Sequence, residues 1–127
     1  MSVSAAIHTA EGLLPGEPAP DGVTDPRWEA IIAVAEYIPD YPEEVWQFAR
    51  RWGAHEQEDV RMAIATCVLE HLLEHHFDLL FDRVEAVARD SPLFMDTVSQ
   101  CWKFGQSLER RNSKRLDRLI KGARRAS

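Results

Sequence analysis

Apolar residues recur along this chain at helical spacing, and no segment alternates with the two-residue period of a strand over a useful length. Trp28, Ile31, Ile32, Ala35 and Ile38 follow Asp25-Pro26, an N-cap residue with proline at the first helical position. This predicts a first helix over 26–38, ended by Pro39 and Pro42. A second helix is expected over 42–53, with Val45, Trp46, Ala49 and Trp52 on one side and Gly53 as its stop. Further helices are expected over about 57–75, 77–89, from Ser91-Pro92 through Trp102, and 107–121. Residues 77–89 contribute Leu79, Leu80, Val84, Val87 and Ala88, and the next segment Phe94, Met95, Val98, Cys101 and Trp102. Connections of about two to five residues imply antiparallel neighbours. Gly12, Pro15, Gly16, Pro18, Pro20 and Gly22 crowd the start. Residues 1–25 are therefore set apart as a flexible tail, with at most a marginal helix around 5–14. Residues 26–122 make up the helical domain, and 123–127 a basic C-terminal tail.

The stretch EEVWQFARRWGAHEQEDVRMAIATCVLEHLL (43–74) places a helix, a polar turn, and then Val60-Arg61 opening an Ala-rich helix with Ala63 and Ala65. It resembles a HEAT-like repeat, and 77–105 resembles a second one more weakly, with Phe94-Met95 in place of Val-Arg. The resemblance implies an all-α fold of five or six antiparallel helices stacked as HEAT-like pairs. The aspartate that the repeat pattern carries about six residues before its arginine is His55 here.

The charge is unevenly distributed. The 127 residues carry a net charge of −6. Residues 1–102 hold six Arg and nineteen Asp or Glu, a net of −13, whereas 103–127 hold nine Lys or Arg and two acids, a net of +7. No apolar run approaches the roughly 20 residues of a membrane span, and no membrane contact is expected. The N-terminus lacks the basic region of a signal peptide. Cys67 and Cys101 have no framework spacing, so reduced thiols in a cytoplasmic protein are expected.

The candidate chemistry sits in HEQEDVRMAIATCVLEHLLEHH (55–76), which holds four of the five histidines. On a regular wheel, Val60, Ile64, Cys67, Val68, His71 and His75 share one arc. Met62, Ala65, Leu69, Leu72 and Leu73 fill the adjoining one, and Asp59, Thr66, Glu70 and Glu74 make the polar face. Cys67, His71 and His75 thus line up at i, i+4 and i+8. The ends of that row lie about 12 Å apart, so one helix offers at most two ligands to one ion. The alternatives are a metal site completed from elsewhere, with His76, Asp78 and Asp82 as candidates, and a structural helix seam; the second is expected, with no cofactor. A single His-Glu pair, His55-Glu56, falls short of the four that HEAT-repeat deoxyhypusine hydroxylases use. There is no Gly-rich phosphate loop and no local signature of a nucleophile.

These readings predict a non-catalytic protein-binding module, an inhibitor or adaptor for a basic protein. Glu43, Glu44, Glu56, Glu58 and Asp59 would line one acidic rim. The alternative is a nucleic-acid-binding protein using the basic C-terminal helix through Lys103, Arg110, Arg111, Lys114, Arg115 and Arg118.

Overall fold

The computed structural model describes residues 2–126, with side chains as far as residue 123. Every regular element among them is helical. α1 is Val3–Leu13, α2 Pro26–Ala35 and α3 Pro42–Trp52. α4 is a continuous helix over 58–75, built from Glu58–Ile64, a π-helical turn Ala65–Leu69, and Glu70–His75. α5 is Phe77–Asp90, α6 Pro92–Ser99 and α7 Arg110–Ala126. None of the described helices is long and apolar enough to cross a membrane.

Local signals set the helix starts. Asp25 accepts from the backbone N–H of Arg27, and Ser91 from that of Phe94, each followed by a proline. Such caps satisfy donors that a first helical turn leaves orphaned. α4 lies at the centre, packed against α2, α3, α5 and α6. Its Ile64, Val68, Leu69, Leu72 and Leu73 are buried with Trp46, Phe81 and Phe94 in one continuous core. Trp46 and Phe94 meet edge to face at 5.9 Å, and Phe77 stacks on Phe81 at 4.7 Å. Gly53 lets α3 end against α6, because a Cβ there would stand 2.9 Å from the Phe94 ring.

The structure departs from the sequence reading in four places. First, the segment set apart as a flexible tail contains α1, which buries Val3, Ala6 and Ala10. Ser2 caps it, and Glu11 accepts hydrogen bonds from Trp52 Nε1 (3.0 Å) and Arg51 (2.9 Å) of α3. A short helix that is marginal alone is held by tertiary packing. Second, α7 runs to Ala126, so residues 123–126 continue a helix instead of forming a tail; residue 127 lies outside the described residues. Third, α6 stops at Ser99, and residues 101–104 run as a non-helical strap. The strap's Trp102 N–H donates to Glu70 Oε1 (3.1 Å), so a side chain does what a helical carbonyl would have done. Fourth, Ile32, Met62 and Leu79, expected on apolar faces, are 48%, 42% and 46% exposed.

The π turn has its own consequence. Glu70 N–H reaches back five residues to Ala65 O, and Cys101 Sγ approaches the same oxygen at 3.6 Å. One extra residue in the turn offsets every later side chain by about 100°. Glu70, assigned to the polar face on a regular wheel, is therefore only 5% exposed.

Candidate functional site

Of the five acids expected along one rim, Glu43 and Asp59 are engaged by cations of the fold. Glu43 is bound by Arg83 of α5 (2.9 Å), which holds its carboxyl below the usual range. Asp59 is taken by the buried Arg27 of α2 at 2.7 Å. Glu44 borders a shallow depression between α1 and α3, beside Arg50 and Arg51. Only Glu56 and Glu58 remain exposed near the α3–α4 turn with no side-chain partner among the described residues. That turn is closed by the buried Arg61, which donates to His55 O (3.0 Å) and Glu56 O (2.8 Å) and pairs with Asp96 of α6 at 3.1 Å.

Other unpaired acids lie on α2 and at the start of α4. On α2, Glu29, Ile32 and Glu36 recur at i, i+3 and i+7, which places them on one face, and all three are exposed. On α4, which packs on α2, Glu58 and Met62 are exposed one turn apart. Glu29, Glu36 and Glu58 make no ion pair with any described residue. Sequence reasoning missed Glu29, Ile32, Glu36 and Met62 by treating every apolar residue at helical spacing as core. The Glu-x-x-Ile-x-x-x-Glu spacing was the available signal.

The basic candidates divide in the same way. Arg115 bonds Asp82 (2.8 Å) and lies over the Phe81 ring at 4.5 Å, and Lys103 bonds Ser113 Oγ and Asp117, both at 2.7 Å. These two cations hold α7 and the strap to the body. Arg110, Arg111, Lys114 and Arg118 are exposed with no described partner, and Lys121, also exposed, adds a Coulombic pull on Asp117.

Three of the five histidines are occupied by structural hydrogen bonds. His76 Nε2 donates to Ile38 O (2.9 Å), His71 Nδ1 to Glu74 (2.8 Å), and His55 Nδ1 accepts from Gln57 N–H (3.1 Å). Among the described residues, no group of three or more His, Cys, Asp or Glu is placed to share a metal ion. Burial pushes the thiols of Cys67 and Cys101 up, away from the reactive thiolate.

Burial also raises the pKa of Glu70, with the Trp102 N–H opposing the shift. A raised folded-state value means that this group favours folding below the unfolded carboxylate range, and that the benefit is lost as pH rises through the folded value. At pH 7 the ionised carboxylate is therefore a local cost. Glu70→Gln keeps an acceptor for Trp102 and removes the charge. It should stabilise the fold at pH 7, with the gain fading toward pH 4. Urea titrations at both pH values check this; destabilisation at pH 7 would mean that the charge is needed beside His71.

The chain belongs to DUF6869, a family of unknown function, whose model matches residues 17–123. No curated protein and no solved structure matches it.

Proposed function

We propose that this domain is a non-catalytic protein-binding module that takes a basic protein on the α2–α4 face. The observation that carries this reading is the charge of the surface up to the start of α4. There Glu17, Asp21, Glu29, Glu36, Asp40, Glu44, Glu56 and Glu58 are exposed and unpaired among the described residues, against Arg50 alone of the cations. Such a field steers a Lys- or Arg-rich partner and repels phosphate. Ile32 and Met62, exposed among those acids, supply the apolar contacts that govern dissociation. We also propose that α3 with α4, and α5 with α6, stack as HEAT-like pairs; the Arg61–Asp96 bond joining α4 to α6 supports this reading.

The test begins with the protein captured on immobilised wild-type domain, its association rate then being measured against salt. Replacing Glu29, Glu36 and Glu58 by Lys should slow association about ten- to a hundredfold and flatten its salt dependence, leaving the thermal transition in place. Ile32→Ser with Met62→Ser should instead speed dissociation. Association unchanged in the triple variant would end this reading.

A further inference from the structure

The strap and α7 carry a second surface of opposite character. At about 100° per residue, Arg110, Arg111, Lys114, Arg118 and Lys121 fall within one arc of about 100°. Leu116 and Leu119, on the other side of the helix, are buried. The five cations are exposed; Arg110, Arg111, Lys114 and Arg118 have no partner among the described residues, and Lys121 acts on Asp117 through space alone. Asp117 is engaged by Lys103, Asp82 by Arg115 and Glu109 by Asn112. The stripe therefore keeps its charge. From Arg110 to Lys121 it extends about 16 Å along the helix, the reach of a few nucleotides.

Beside this stripe runs the strap, anchored at nearly every residue. Lys103 Nζ grips Ser113 and Asp117 on the edge of the basic arc. Trp102 N–H is held by Glu70, and the Phe104 ring stacks on His71 at 5.9 Å with an interplanar angle of 14°. Gly105 turns with φ +51° against the backbone of Glu74, where a Cβ would stand 2.9 Å from the carbonyl oxygen. Gln106 bridges the α4–α5 break, accepting from Phe77 N–H and donating to His75 O, both at 2.9 Å. So firmly held a backbone nevertheless leaves the Trp102 side chain outside: the residue is 72% exposed, the most exposed large apolar residue among the described ones. A solvent-facing indole on an anchored backbone has a π-face to offer.

We propose that the outward face of α7 and the strap before it bind single-stranded nucleic acid, the five cations taking phosphates and Trp102 stacking on a base. Unpaired cations alone would suit any polyanion. The exposed aromatic ring on the strap, which Lys103 ties to α7, favours a strand whose bases are free to stack. The acidic α2–α4 face does not forbid this, since fields between exposed charges decay over about 8 Å at physiological salt. The inference is independent of the basic-protein reading and uses a different surface.

Fluorescence anisotropy with labelled dT12 and U12 tests it on the full chain. Binding should weaken with salt, with log K falling against log[salt] at a slope of about −3 for four or five phosphate contacts. Trp102→Ala should cost about five- to a hundredfold in affinity at an unchanged slope and an unchanged thermal transition. Lys114→Glu with Arg118→Glu should make the slope shallower by about two. The variant with Glu29, Glu36 and Glu58 replaced by Lys should not lose oligonucleotide binding, which separates this proposal from the other. No binding in 50 mM salt would overturn it. So would a Trp102→Ala variant that binds as wild type, or polyglutamate bound as tightly as the oligonucleotides; that last result would assign the stripe to an acidic protein.

Discussion

Leu69→Ala and Leu73→Ala should each destabilise the domain by about 2–5 kcal/mol. Both side chains are essentially removed from solvent, at 0% and 1% exposure. Leu69 closes the π turn and Leu73 follows one turn later on α4, the helix that α2, α3, α5 and α6 all pack against. Truncation there removes apolar area from the core and leaves a cavity that surrounding helices can close only partly, because each is held from other sides. A domain of this size has about 5–15 kcal/mol in total, so either change brings it close to unfolding. Equilibrium urea denaturation measures the loss. A value below about 0.5 kcal/mol would mean that the α4 seam is loosely packed. The same substitution at Leu79, which is 46% exposed on α5, should stay within about 0.5 kcal/mol.

Arg27→Ala should cost about 2–4 kcal/mol, through charge and not volume. The guanidinium of Arg27 is buried and donates to Pro15 O, Asp25 and Asp59, each at 2.7 Å. It joins the N-terminal segment, the cap of α2 and the first turn of α4. Without it, two carboxylates face each other uncompensated and a carbonyl loses its donor. The segment around residues 15–24 should then open, and limited proteolysis should cut there first in the variant. The pH dependence gives a second reading. Arg27 holds the Asp25 carboxyl down from 3.8 to about 2. A depressed folded value contributes stability that is complete above the unfolded value and is lost as pH falls through about 2. The wild type should therefore lose part of its stability between about pH 4 and 2, and Arg27→Ala should lose much less over that window. Equal acid sensitivity in the two proteins would show that the Arg27 pairs contribute nothing.

What the sequence determined by itself was local. Asp25-Pro26, Pro42 and Ser91-Pro92 mark helix starts because a cap and a fixed φ act within one turn, whatever the rest of the chain does. Val45, Trp46, Ala49 and Trp52 identify the buried side of α3 because a regular helix maps spacing onto a face. The all-helical class follows from many such segments. The tertiary structure alone decided what depends on distant residues. α1 is too short to be stable alone, and its place rests on Glu11 reaching Trp52 across 41 positions of chain. The π turn in α4 has no spacing signature and shifts the register of everything after it, which is how an apparently surface Glu70 became buried. Candidate acids and bases looked equivalent as residues. Arg83, forty positions away, engaged Glu43, and Arg27 engaged Asp59. Lys103 was turned onto Asp117 and Arg115 onto Asp82, while Glu29, Glu36 and Glu58 and the exposed arginines along α7 were left without ion-pair partners among the described residues. Coulombic pairing depends on separation in space, and separation in space is settled only when the helices have packed.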